Sequence, residues 1–387
     1  MQLDKQLLIW CTPVQKTTLK SVNKEGSIGK AAKALGLSKS TVQCRIDAIK
    51  RKAATSDSES VSKHEQENIV QKGYFVKSFS TLYDGDGNVK TKRVTSHRDK
   101  EDKLIWFKEA IVDVVNNYKG CSTFIKPPNY CNSDLLSVYP IPDPHIGMLS
   151  WARETGTAYN LDIAEYQLFQ TVDMLVARSP SSSHALMASL GDLFHTDNST
   201  NMTLAHGNIL DVDSRYPKMI SVGLRLMRRV IDRLLQKHEH VTAWFRQGNH
   251  DTHSSIMMAI SMAAIYDNNP RVTISIEPGQ FDVLQHGKCL IACTHGHTVA
   301  AAKLPLLLAE RHSKLWGKTK FRHWYTGHIH HDQLIEYPGC IVEKLRAVCP
   351  KDAWSHGMGF ESGRDLKCDV WHKTEGKIDR LIQRVGK

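Results

Sequence analysis

No two cysteines in this 387-residue chain stand at C-x-x-C spacing, although nine are present. The odd number, in a chain too long to need a disulfide framework, points to a reduced, cytosolic compartment, the cytoplasm. Long apolar runs are missing as well. The most apolar stretch, Ile256 to Tyr266, is far shorter than the roughly 20 residues of a membrane span and reads as a buried helix. The start, Met1-Gln2-Leu3-Asp4-Lys5, lacks a basic segment leading into an apolar run and a small-residue cleavage site, so neither a secretory leader nor a membrane partner is expected. With 41% apolar and 24% charged residues, wholesale disorder and fibrous structure are excluded too. At roughly 100–200 residues per domain the length suggests two or three folded units.

Acidic residues are scarce in one place. Residues 1–54 contain only Asp4, Glu25 and Asp47 against eleven Lys and Arg, a net +8 of the chain's +11. Within this segment Ile28, Ala31, Ala32 and Leu35, then Val42, Ile46 and Ile49, recur at helical spacing. Gly36-Leu37-Ser38 breaks the pattern, Gly allowing a tight turn and Ser38 able to cap the next helix. Two short helices about such a turn make a helix-turn-helix. Residues 55–72, rich in Ser, Glu, Lys and Gln, read as a linker or a polar helix. Over 73–130 a hairpin, Tyr74–Tyr83 and Val89–Val94, and an amphipathic helix, Asp102–Tyr118, form a connector. The turn between the strands alternates Asp84, Asp86 and Asn88 as a calcium loop does, but Val89 replaces the required Gly and Thr95 the bidentate Glu, which excludes calcium.

From 131 to 387 the sequence changes character. Leu136–Tyr139, Ala185–Leu190, Val241–Phe245 and Leu290–Cys293 read as buried strands, and Met219–Leu235 as an amphipathic helix between the second and third. Strands spaced by helices argue for an α/β fold. Directly after strands come Asp143-Pro144-His145, Gly191-Asp192-Leu193-Phe194-His195, Gly248-Asn249-His250-Asp251, Thr294-His295-Gly296-His297 and Gly327-His328-Ile329-His330. In α/β sheets functional groups gather at strand carboxyl ends, so these five segments can converge. They offer carboxylate, imidazole and amide ligands but no thiolate, a set suited to a hydrolytic site with two divalent ions. Each block alone is a common turn; five in fixed order are not.

This order resembles the calcineurin-like metallophosphoesterase superfamily. The resemblance implies a four-layer β-sandwich flanked by helices. It implies that Asp143, His145, Asp192 and His330 bind one metal, and that Asp192, as a bridge, with Asn249, His295 and His328 binds a second. His295 is taken over His297 on the family's usual spacing. It further implies two divalent ions, Mn²⁺ foremost with Fe²⁺, Zn²⁺ or Mg²⁺ as alternatives, a water activated between them that attacks phosphorus, and His250, polarised by Asp251, serving the leaving oxygen. Gly-Asp-Leu-Phe-His is similar to a block of repair nucleases related to bacterial SbcD, in which the His, here His195, lies near nucleic acid; the alternative is a His that only orients a ligand. Arg215, in the insert that follows, either grips a substrate phosphate or is a solvated loop charge.

Residues 31–42 resemble the helix-turn-helix of bacterial and phage regulators, which implies that the second helix enters the DNA major groove. Lys39, Ser40, Thr41, Gln43, Arg45 and Lys50 are then the candidate DNA contacts; the alternative is a protein-interaction module with a solvated basic face. Asp352–Phe360 resembles the closing segment of phosphoesterases of tailed phages. The function expected is a metal-dependent phosphodiesterase, a DNA nuclease (exo- or endonuclease) recruited by its N-terminal domain. A phosphomonoesterase or protein phosphatase, and an inactive DNA-binding regulator, are the alternatives. A homo-oligomer is left open.

Overall fold

The structure, a computed structural model, describes residues 13–57, 74–83, 89–98, 119–203 and 207–386. The helix expected over 102–118, the turn at 84–88 and most of the expected linker lie outside the described residues. The chain forms two compact units, Met1–Glu109 and Ala110–Lys387.

In the first unit α1 (Pro13–Glu25), α2 (Ile28–Leu35) and α3 (Lys39–Asp57) pack about Leu19, Val22, Ala31, Ala32, Val42, Ile46 and Ile49. Ser27 Oγ accepts from the Lys30 N–H at 3.3 Å to start α2, and Gly36 ends it in the left-handed region at φ 65°. Ser38 Oγ accepts from the Thr41 N–H at 3.1 Å, the cap expected for α3. Helix α1 had no sequence signature of its own: Leu19 and Val22 are its only buried apolar side chains among the described residues, and they gain meaning only against α2 and α3. Helix α3 runs on to Asp57, into the stretch read as linker or polar helix. In the hairpin, β1 (Tyr74–Tyr83) pairs antiparallel with β2 (Val89–Arg98), which extends past the expected Val94.

The second unit holds two sheets. One is built from β3 (Asn132–Ile141), β4 (Ser182–Ser189), β5 (His240–Phe245), β6 (Val272–Ile274), β12 (Asp365–His372) and β13 (Gly376–Arg384); the other from β7 (Asp282–His286), β8 (Cys289–Cys293), β9 (Phe321–Thr326), β10 (Gln333–Tyr337) and β11 (Cys340–Lys344). Their orders are β13-β12-β3-β4-β5-β6 and β10-β11-β9-β8-β7. The neighbours β3/β4, β4/β5, β5/β6, β8/β9 and β9/β11 are parallel, and the remaining pairs antiparallel.

Side-chain alternation sorts these strands into four layers. Leu136, Val138, Leu186, Ala188 and Trp244 of the larger sheet meet Cys289, Ile291, Cys293 and Tyr325 of the smaller. Their neighbours point outward. Tyr139, Ile141, Met187, Ala243 and Phe245 pack beneath α4 (Leu161–Arg178), α5 (Tyr216–Leu235) and α6 (Thr252–Ile265). On the other side Leu290, Ala292, Trp324 and Val342 pack beneath α7 (Leu304–Arg311) and α8 (Ser313–Lys318). The α/β sandwich flanked by helices is therefore as expected. The stripe Met219, Val222, Leu226, Val230 and Leu234 on α5 is wholly buried, each large side chain adding about 1.5–3 kcal/mol of burial.

Candidate metal centre

The loops after β3, β4 and β5 of one sheet and after β8 and β9 of the other meet at one end of the sandwich. The Asp143 carboxylate, fully buried, accepts from the main-chain N–H of His328 at 3.1 and 3.0 Å through its two oxygens. Two glycines permit this approach. A Cβ on Gly327 would stand 2.4 Å from Asp143 Oδ2, and one on Gly248 only 1.9 Å from Asp192 Oδ1. The backbone is bent to the same end. Asp143, His145, Asp192, His328 and His330 all have positive φ, from 44° to 73°, and Asn201 is the only other non-glycine residue so placed among the described residues. Such conformations cost on the order of 1 kcal/mol or more each and persist where the surroundings demand them.

Asp192 is the hub. Its Oδ1 accepts from the His250 N–H at 2.8 Å, while Oδ2 lies 3.1 Å from His295 Nε2 and 3.8 Å from His145 Nε2. Two groups of potential ligands, Asp143-His145-Asp192 and Asp192-His295-His328, each keep their ligand atoms within 4.8 Å of one another and have Asp192 in common. His330 Nε2 is 3.4 Å from Asp143 Oδ1, on the first group's side, and Asn249 Oδ1 is 3.0 Å from His295 Nε2, on the second. His297 stands one ring farther out, 5.1 Å from His295 and 6.0 Å from His328 between centroids.

Electrostatics favour cations here. Burial alone would push Asp192 up, but His295, His250 and His145 outweigh it and hold the carboxyl well below its usual range. Burial pulls His295 down, yet Asp192 and Asp143 raise it to about 9. His145 is held well below its ordinary value by burial and by neighbouring imidazoles, so it stays neutral, the form that ligates a metal. Its Nε2 is buried without a hydrogen-bond partner. An orphaned imidazole nitrogen between two carboxylates fits a divalent ion better than it fits a solvated pocket.

The remaining candidates take other places. His250 is half-buried, its Nδ1 2.9 Å from the carbonyl oxygen of His195. That carbonyl, and not the expected Asp251, orients its ring. The buried Asp251 carboxylate instead accepts from the N–H groups of Asp192, Gly248 and Phe194 and from Ser255 Oγ at 2.6–3.2 Å, and burial with Asp192 nearby raises it to about 6. His195 is 2% exposed, stacked on His250 at 5.4 Å, and its Nδ1 is 3.1 Å from that of His145, a placement from which it can orient that ring. Arg215 is exposed at the start of α5 with no side-chain partner among the described residues. In the first unit Lys39, Ser40 and Gln43 are exposed, Thr41 is half-buried against Ser38, and Arg45 bonds to Thr18. The Lys50 side chain lies outside the described residues. Sequence reasoning overlooked Cys349, whose thiol lies within 4.8 Å of ligand nitrogens of His145 and His330. It belongs to none of the five blocks, and no spacing pattern announces it.

No family model matches the sequence, and no curated protein matches it. Solved structures do. Vps29 of Entamoeba histolytica with Zn²⁺ is 13% identical, covering 64% of this chain and 98% of its own, at a TM-score of 0.29. An archaeal phosphodiesterase is 12% identical over 64% and 99%, at 0.33. A predicted phosphoesterase of Streptococcus pneumoniae is 9% identical over 64% and 98%, at 0.26. Among the described residues no helix is long and apolar enough to cross a membrane.

Proposed function

We propose that the chain is a metal-dependent phosphoesterase that hydrolyses phosphodiesters, DNA foremost, and that its N-terminal helices recruit it to DNA. The observation that carries this reading is the common carboxylate of Asp192 at the junction of two ligand groups, since a pair of adjacent divalent ions needs an anionic bridge. Asp143, His145, Asp192 and His330 would hold one ion, and Asp192, Asn249, His295 and His328 the other. When bound, the ions supply positive charge for the phosphate oxygens and acidify a water.

The chain's own residues do the rest. The His195 carbonyl accepts the Nδ1 proton of His250, which leaves Nε2 as the atom that exchanges a proton with the leaving oxygen. His195 positions His145 and His250 together. Asp251 ties the Gly248–Asp251 loop to the main chain of Asp192 and Phe194, so His250 and the bridging carboxylate move as one. Support for DNA over a small monoester comes from charge: +8 sits in residues 1–54, with Lys39, Ser40 and Gln43 exposed on α3.

The test is hydrolysis by the full chain, with Mn²⁺ and with Zn²⁺, of single- and double-stranded DNA and of a chromogenic monoester. DNA cleavage is expected, and His250→Ala should lower it by about 10²-fold or more with ion content retained. Hydrolysis of the monoester alone would make the protein a phosphomonoesterase. No turnover with any divalent ion would leave a DNA-binding regulator.

A further inference from the structure

A buried thiol closes one side of the ligand cluster. Cys349 lies five residues beyond β11, and its main-chain N–H donates to the carbonyl oxygen of Asp143 at 3.3 Å, which fixes it beside the first candidate ligand. The residue is 3% exposed. Its Sγ and the ligand nitrogens of His145 and His330 all lie within 4.8 Å of one another. Buried Cys289 donates its S–H to the carbonyl of His372; among the described residues no such acceptor takes the S–H of Cys349. A second observation points the same way: Nε2 of His145, a residue 4% exposed, has no hydrogen-bond partner. Two imidazoles and a thiol are thus gathered about one point, His330 turned to Asp143 and the His145 nitrogen without a partner.

We propose that Cys349 is a ligand for the ion held by His145 and His330, giving that position a sulfur donor and a preference for Zn²⁺, Fe²⁺ or Co²⁺ over Mn²⁺ and Mg²⁺. The proposal rests on the two-ion reading above. With Asp143 and Asp192 the ion would have five protein ligands; at about 2.3 Å to sulfur and 2.1 Å to nitrogen, neighbouring ligand atoms of such a shell stand roughly 3.1–3.8 Å apart, so a pair at the outer limit of the cluster has to close by about 1–1.7 Å. On binding, the S–H proton leaves to solvent and a sulfur–metal bond forms, with no oxidation. The Asp192-His295-His328 group has no sulfur among its members. The two positions therefore differ in softness, and a mixed pair of ions follows: one borderline-soft beside Cys349, one harder beside Asn249.

The experiment is the absorption spectrum of the full chain loaded with Co²⁺, with cobalt content measured alongside. A sulfur-to-cobalt charge-transfer band in the near ultraviolet is expected in the wild type and is lost in Cys349→Ser. That variant should also bind Zn²⁺ about tenfold or more weakly at one of two positions. A cobalt-loaded wild type without the band, or a band that survives in Cys349→Ser, overturns the proposal. Should the variant not fold, X-ray absorption of the zinc-loaded wild type decides, because a sulfur neighbour at about 2.3 Å is required and a shell of nitrogen and oxygen alone overturns it. Cobalt content that saturates at one ion per chain or fewer, where two are expected, instead overturns the two-ion reading itself.

Discussion

The Nδ1 atoms of His145 and His195 lie 3.1 Å apart in the buried floor of the cluster, so one of them must carry the proton that joins them. If His145 is to keep a lone pair on Nε2 for an ion, its Nδ1 is the donor and His195 the acceptor. His195→Ala removes that acceptor without touching a ligand. Ion affinity should fall about 10–100-fold, read by calorimetric titration of Zn²⁺ or Mn²⁺ into the ion-free chain. Unchanged affinity would remove His195 from its positioning role.

Asp251 is a test of construction rather than chemistry. Its carboxylate accepts four hydrogen bonds, three from main-chain N–H groups that have no water to turn to. Asp251→Ala should cost at least about 3 kcal/mol of stability, measured by urea denaturation of ion-free protein, whereas His250→Ala should cost little. Equal effects of the two substitutions would contradict the division of labour drawn here.

A buried imidazole far from the ligands sets an acid limit. His238 is fully buried, with Nε2 2.9 Å from Tyr139 Oη and Nδ1 2.8 Å from Ser182 Oγ. Burial lowers it from 6.5 to about 3. As pH falls through 6.5 the unfolded chain takes up this proton and the folded chain does not. Stability is therefore fully present above 6.5 and drains away as pH falls toward 3. The urea midpoint of ion-free protein should drop between pH 7.5 and 5, and by less in His238→Gln. An equal drop in both would refute the assignment.

Exposed Lys39 at the start of α3 is a candidate phosphate contact. Lys39→Ala should weaken DNA binding by the full chain about equally across sequences and reduce the slope of log affinity against log salt by about one. Binding measured in EDTA keeps this apart from hydrolysis. A sequence-selective loss with an unchanged slope would move Lys39 from the backbone to a base edge.

Much of this arrangement was legible because the ligands follow strands directly. A buried strand announces itself by composition, and in each of the five blocks His, Asp or Asn comes within a few residues of the strand's end. What was not legible depends on long-range contact. Cys349 reaches the cluster only through the packing of the segment after β11 against Asp143. The partner of His250 is a main-chain carbonyl, which no side-chain pattern can signal. The work of Asp251 also looks different in three dimensions: adjacency to His250 in sequence suggested a dyad, but at the N-cap of α6 its carboxylate turns toward main-chain donors of two loops. Helix α1 was missed for the same reason, its short apolar face having meaning only beside α2 and α3.

The candidate ligands are divided between the sheets. Asp143, His145, Asp192 and Asn249 follow strands of the larger one, and His295, His328 and His330 follow strands of the smaller. Bound ions would then act as rivets across the interlayer seam and not merely as occupants of a cleft. Neither face could slide or part without surrendering about half of the coordination, so opening of the sandwich would be coupled to loss of the ions. Amide protons deep in β3, β4, β8 and β9, remote from any loop, should exchange more slowly when the ions are present.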